Sequence, residues 1–98
     1  MSVLVCYDKN KTDTTEFGDT GFGLIDASAG TQNMLLRATK LGIASCWTHA
    51  YAYPKEYREL LNLPENIIPV VLVVLGYSDE PFESRDGFEA EKIHYEKW

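Results

Sequence analysis

Apolar residues follow a helical spacing through the middle of this chain. Between Gly23 and Gly42, apolar and small residues recur three and four positions apart, which places them on one face of an α-helix. The stripe consists of Ala27, Thr31, Met34, Ala38 and Leu41, widened by Leu24, Leu35 and Leu36. The polar residues Gln32, Arg37 and Lys40 fall outside it. The spacing therefore predicts a long helix near residues 25–41.

Both ends of this helix have suitable residues. Asp26 stands where a carboxylate accepts backbone N–H groups at a helix start. Gly42 suits the left-handed position just past the end, with Lys40 in the last turn and Ile43 packing back on Ala38. Small residues at positions 27–30 are expected to let another backbone come close.

Three apolar runs predict β-strands, near residues 3–7, 43–47 and 68–77. The first is rich in β-branched residues and begins almost at the first residue. The third does not alternate with polar residues, so both of its faces are expected to be buried. Pro69 is expected near the start of that strand, where a missing N–H donor is least harmful.

The rest of the chain predicts a second helix, a loop and a tail. Pro54 suits a first helical turn and Pro64 disfavours helix at Leu63, so this helix is expected near residues 54–62. Residues 8–20 are polar and predict a loop. Residues 92–98 carry bulky side chains without a core of their own, so they are expected to dock on this chain or on a partner. Residues 1–98 thus predict one domain of α/β class, a sheet with flanking helices.

Composition and charge narrow the function. The chain has 98 residues, a hydrophobic share of 45% and a net charge of -6. The acidic balance argues against a nucleic-acid partner, because phosphate binding needs a basic face. No apolar run approaches the ~20 residues of a membrane span, and no signal peptide is visible. We therefore expect a cytoplasmic protein whose two cysteines, Cys6 and Cys46, are reduced. No Cys or His spacing predicts a metal site.

Four segments resemble, in order, the flavin-dependent nitroreductase family. The first has Asp26, then Gln32-Asn33-Met34-Leu35-Leu36, Ala38, Leu41-Gly42 and Ser45-Cys46-Trp47, similar to the family's D-x-x-x-x-x-Q-N-M-L-L-x-A-x-x-L-G helix and S-C-W strand. Residues 57–64 are similar to V-R-x-x-L-x-L-P. Residues 69–77 continue the match, and residues 92–98 resemble the closing x-V-H-x-x-x-W.

The resemblance implies a function and a site. Family members are homodimers that bind FMN at the subunit interface, with C-terminal tails that embrace the partner, and they transfer hydride from NAD(P)H to nitroaromatics, quinones or similar acceptors. The segment matching Cys46, Trp47, Thr48 and His49 passes along the flavin ring, and Arg85 is the best match to a phosphate-binding residue. His49 stands where many members have glycine, which would alter the approach to the ring. Because the cofactor carries the hydride, no catalytic side chain is expected.

The resemblance covers only the C-terminal half of the family, so other interpretations stay open. The arginine-rich first stretch of the family has no counterpart here, which predicts a domain truncated at its N-terminus. The alternatives are a non-catalytic remnant or dimerisation module that binds no flavin, and a piece that works only with a separate N-terminal chain. Single residues also have structural interpretations: Cys46 as a small buried hydrophobe, Trp47 as a core aromatic, Arg85 as a solvated charge and His94 as a packing or surface residue.

Overall fold

The computed structural model describes residues 1–12, 21–81, 83 and 87–98. These residues form three β-strands, two α-helices and two short 3-10 turns. In chain order the elements are β1 (Ser2–Asp8), α1 (Gly21–Lys40), β2 (Ala44–His49), a 3-10 turn (Ala50–Ala52), α2 (Pro54–Leu61), β3 (Ile67–Gly76) and a second 3-10 turn (Ala90–Lys92). The predicted residues 13–20 of the loop lie outside the described residues. The class is α+β, a sheet with flanking helices as the sequence predicts.

The strands form an antiparallel sheet in the order β1-β3-β2, so β3 is central among the described strands. The pairing of β1 with β3 shifts register between Val5 and Cys6, where Val5 faces Val71 and Cys6 faces Pro69. A proline interrupts a sheet least at such an irregularity, because it has no N–H to donate. This explains how Pro69 is accommodated near the start of a central strand.

The core lies between α1 and one face of the sheet. Its buried residues are Ala27 from α1 and Val70, Val71 and Val73 from β3. Partly buried side chains pack around them: Val5, Tyr7, Leu24, Met34, Leu35, Trp47 and Leu75. The prediction that β3 is buried on both faces holds only for its first half, because Val74 is 43% exposed.

The end of α1 agrees with the prediction and its beginning does not. The N–H of Ile43 donates to the Ala38 carbonyl oxygen at 2.9 Å, and Gly42 has φ +71°, as expected for a glycine-terminated helix. Arg37 and Lys40 occupy the last turn, and Lys40 was the basic residue predicted there. The helix begins at Gly21, however, so Asp26 lies beyond the first turn and the predicted capping role for Asp26 is wrong.

The apolar stripe on α1 is also only partly buried. Ala27, Thr31 and Ala38 are buried as predicted, but Leu36 and Leu41 are more than half exposed. Leu36 shares the outer face of α1 with Phe22 and Ile25. The apolar stripe predicted from the sequence is therefore wider than the face of α1 that the sheet covers, because α1 carries apolar side chains on two sides.

Helix α2 is held to the start of β3 by one arginine. Pro54 begins the helix, and Asn62 ends it in the left-handed conformation, with φ 51°. The side chain of Arg58 donates through Nη2 to the carbonyl oxygen of Ile67 at 3.2 Å. No membrane-spanning helix, by length and apolar character, is found within the described ranges.

Candidate flavin-ring segment

The predicted ring-contacting residues lie together at the end of β2. The predicted strand ended at residue 47, whereas the observed one continues to His49, because Thr48 and His49 pair with Leu72 and Val71 of β3. All four predicted residues, 46–49, therefore stand on one continuous strand. Arg85, the predicted phosphate partner, lies outside the described residues.

Trp47 anchors this segment in the core. It pairs with Val73 of β3, which is fully buried, and its side chain packs against the core cluster beneath α1. The packing of Trp47 therefore agrees with its interpretation as a core aromatic. A ring held in a packed core fixes the backbone around it, so the neighbouring peptide groups have little freedom to move.

Cys46 and Thr48 lie on the other side of the sheet from Trp47, since successive side chains of a strand alternate between its faces. The Thr48 hydroxyl donates to the Leu72 carbonyl oxygen at 2.9 Å, which fastens β2 to the central strand. The Cys46 side chain is exposed. The interpretation of Cys46 as a small buried hydrophobe is therefore wrong, because its side chain is exposed on an edge strand of the described sheet.

His49 ends the strand on the surface, beside an aromatic neighbour that the sequence did not predict. The rings of His49 and Tyr51 meet edge to face, with centroids 5.5 Å apart and planes at 85°. Tyr51 belongs to the 3-10 turn after β2, which is anchored by the fully buried Ala50. The stretch around Tyr51 has no periodicity, so only its aromatic content could have drawn attention to it.

The backbone of β2 offers hydrogen-bonding groups to a ligand. In the described sheet, β2 pairs with β3 on one side only. About half of the N–H and C=O groups of an edge strand point away from its neighbour. Such fixed donors suit the polar edge of a flavin ring, so residues 46–49 fit the ring part of an FMN site.

Neither Arg58 nor the depression beside β2 suits the phosphate part of an FMN site. Arg58 is already bonded to backbone carbonyl groups of Glu65 and Ile67. A depression of about 980 Å³ lies at the opposite end of β2, and Glu80 and Glu83 are among its lining residues. Carboxylates repel a phosphate, so the described lining of this depression does not favour that role. Within the described ranges, no cluster of His, Cys, Asp or Glu could hold a metal ion.

The histidine in the tail is a surface residue. His94 packs against the Trp98 ring, with centroids 4.4 Å apart, and both residues are exposed. This agrees with the packing or surface interpretation. The described tail lies open, and Tyr95 and Trp98 are among its most exposed side chains.

This antiparallel α+β arrangement, with its anchored edge strand, has counterparts among known proteins. Residues 2–77 match the sequence profile of the Nitroreductase family. This chain belongs to that family, as its motifs predict. It is 35% identical, over all of its length, to a protein of Methanothermobacter thermautotrophicus provisionally named NADH dehydrogenase/NAD(P)H nitroreductase, and covers 50% of that protein.

Solved structures show the same fold. A nitroreductase family protein of Clostridium difficile is 35% identical with a TM-score of 0.81, and the match covers 99% of this chain and 59% of that one. The NADPH:FMN oxidoreductase of Vibrio harveyi, solved with NAD+, is 25% identical with a TM-score of 0.79, and the match covers 99% of this chain and 46% of that one. This chain thus spans about half the length of its relatives.

Proposed function

We propose that this chain supplies the flavin-ring segment of an FMN-dependent oxidoreductase, which uses NAD(P)H to reduce nitroaromatics, quinones or similar acceptors. The observation that carries the proposal is the edge strand at residues 46–49, anchored through Trp47, within a region that matches the family from residue 2 to 77. The Vibrio harveyi relative, an NADPH:FMN oxidoreductase, supports the choice of cofactor and reductant.

The residues of this chain act by binding and orientation. The packed Trp47 ring and the bond from Thr48 to Leu72 hold the strand, so its outward N–H groups meet a ligand without rearrangement. Arg85 is proposed to hold the phosphate, for which a guanidinium is chemically suited. When bound, FMN supplies the hydride chemistry that amino-acid side chains lack.

A homodimer is part of the proposal. Phe22, Ile25 and Leu36 lie exposed on the outer face of α1 at helical spacing. Such an apolar row on a helix is stabilised when a second apolar surface covers it. We propose that a second copy does so, with the exposed tail as a further contact. The proposed setting is the cytoplasm, where NAD(P)H is available and both thiols stay free.

The test is a visible absorption spectrum of the purified chain, mixed with FMN and then desalted. Retained flavin bands, lost when Trp47 is replaced by alanine, are expected. A Tyr77→Ala variant is the matched control, because Tyr77 is an exposed aromatic beyond the end of β3. A protein that washes free of FMN contradicts the proposal for the isolated chain and favours the non-catalytic remnant or dimerisation module.

A further inference from the structure

The guanidinium of Arg58 joins the second half of α2 to the central strand. Its Nη2 atom donates to the carbonyl oxygen of Ile67 at 3.2 Å and to that of Glu65 at 3.4 Å. Ile67 is the first residue of β3, where it pairs with Asp8 of β1. One planar donor group therefore holds the helix against the point at which β3 enters the sheet.

The other end of α2 is bonded to the end of β2. Tyr53, the residue before α2, donates its N–H to the carbonyl oxygen of Ala50 at 3.0 Å, and its own carbonyl oxygen accepts the N–H of Tyr57 at 3.2 Å. Ala50 is fully buried and directly follows His49, the last residue of β2. Hydrogen bonds thus continue from the end of residues 46–49 into the first turn of α2.

Little else fixes the position of α2. The helix has eight residues, and every one of them stays partly exposed in the described structure. A helix this short depends on its tertiary contacts. The Nε atom of Arg58 is buried and has no hydrogen-bond partner among the described residues. A buried donor without a partner lowers stability, so the position that Arg58 gives to α2 explains this side chain better than a gain in stability does.

We infer that Arg58 is a positioning residue for residues 46–49. By fixing α2 against β3 it fixes Tyr53 and, through Tyr53, the peptide group of Ala50 next to His49. Arg58 acts through the helix and not on a ligand. The inference rests on the proposed function for what residues 46–49 bind, and on the hydrogen bonds of this chain for how they are held.

Hydrogen–deuterium exchange of the full chain without flavin tests this link. Arg58→Met removes both bonds and keeps a long unbranched side chain, so the Tyr53 amide is expected to exchange about tenfold faster. The amides that pair β1 with β3 are expected to keep their rates. Arg58→Lys keeps a charged donor and should restore most of the protection. Lys55→Met is the matched control, because it removes the same charge from an exposed position of α2, and it should exchange like the parent.

The dissociation constant for FMN, from fluorescence titration, is the second measurement. Arg58→Met is expected to bind FMN about fivefold more weakly, because binding would then have to order the end of β2 first. Arg58→Lys should lie close to the parent, and Lys55→Met should equal it. An Arg58 that served stability alone would lower the unfolding temperature and leave the dissociation constant of the folded chain unaltered.

Three results would overturn the inference. One is unchanged exchange at Tyr53 in Arg58→Met. Another is exchange that rises equally throughout the sheet, which would make Arg58 a contributor to global stability only. The third is faster exchange at Tyr53 with an unaltered dissociation constant, since residues 46–49 would then bind flavin independently of α2.

Two further cases stay decidable. Where Arg58→Met fails to fold, exchange of the parent chain in low urea replaces it: the amides of Tyr53 and Leu63, which donates to the Arg58 carbonyl oxygen at 3.1 Å, should open together. Separate opening would contradict the inference. Where the parent binds no FMN, the exchange rates still support or overturn the positioning role, and the proposed function alone fails.

Discussion

Gly23 of α1 lies directly against the ring of Tyr7 in β1. A Cβ atom placed at Gly23 would come within 2.5 Å of Tyr7 Cδ2 and 2.8 Å of its Cγ, distances that side chains do not tolerate. The methyl carbon of Thr12 would lie 3.0 Å from the same Cβ atom. The first turn of α1 therefore approaches the sheet through a glycine, and any larger residue would push the helix away from β1.

Replacing Gly23 by alanine is expected to destabilise the protein by about 1–3 kcal/mol, the usual cost of overpacking a closed site. Urea unfolding followed by circular dichroism measures the change. Gly30→Ala is the matched control, because no described atom beyond the chain neighbours and the backbone of its own helix lies within 4 Å of a Cβ there. That variant is expected to gain roughly 0.5–1 kcal/mol from reduced backbone freedom. Equal stability of the two variants would contradict the packing argument.

This contact also corrects a prediction from sequence. The small residues at positions 27–30 were expected to let another backbone come close. Ala27 is indeed buried in the core, but Ala29 and Gly30 are exposed, and the tight contact of Gly23 with the Tyr7 ring lies outside this run. Sequence spacing identifies small residues but not the neighbour each one meets. That depends on where β1 crosses α1, which is a tertiary relationship.

Much of the fold was predictable from the sequence because its signals are local. Pro54, Gly42 and the valine-rich run of β3 mark their elements through backbone geometry and periodicity. The exposure of Leu36 and Cys46 was not predictable, because an apolar residue gives the same signal whether its covering layer is present or missing. In the candidate site, residues 46–49 could be proposed together because they are contiguous in sequence. The contact of His49 with Tyr51 could not, because it depends on a turn without a sequence signature.

Gly42 tests where α1 ends. Its φ of +71° is a conformation that residues with a Cβ adopt at a cost of about 1–2 kcal/mol. Gly42→Ala is therefore expected to lower the free energy of unfolding by about that amount in urea titration. Gly42→Asn should lose less, since asparagine tolerates the left-handed region better. Alanine that performs as well as asparagine would count against this boundary.

Asp8 makes a contribution to folding stability that depends on pH. Asn66 Nδ2 donates to its carboxylate at 2.8 Å and the Asn10 N–H at 3.0 Å. The Asn66 bond first, and then the Asn10 bond, hold the pKa of Asp8 below its usual value of 3.8. Because the folded pKa lies below the unfolded one, the stabilisation is present above pH 3.8 and is lost as the pH falls through the folded pKa.

The Asp8→Asn variant is therefore expected to lose less stability than the parent protein when the pH falls below about 4. Thermal unfolding between pH 2 and pH 6 measures this dependence. Asp79→Asn, at an exposed position after β3, is the matched substitution and should retain more of the parent's slope. An unchanged slope in Asp8→Asn would show that the Asp8 network is not maintained in solution.

The outer face of α1 tests the proposed dimer. Leu36 is 60% exposed beside Ile25 on this face, and Leu36→Asp would bury a charge wherever a second copy covers it. Dimerisation is expected to weaken about tenfold or more, equivalent to about 1.4 kcal/mol. Sedimentation equilibrium measures the dissociation constant, with Leu60→Asp as the control on α2. A parent chain that sediments as a monomer at all concentrations would disprove the dimer.

His49 provides the last prediction, on the candidate site itself. The family resemblance places glycine in many members where this chain has an imidazole, and the Tyr51 ring holds that imidazole at the end of β2. If FMN approaches residues 46–49, His49→Gly should remove a steric obstacle and tighten FMN binding by about 1 kcal/mol, roughly fivefold in Kd. Fluorescence titration with FMN measures the affinity.

His94→Gly is the control: it makes the same change in the exposed tail and should leave the affinity for FMN unaltered. Weaker binding by His49→Gly would mean that the imidazole contacts the flavin favourably, so that His49 is a ligand and not an obstacle.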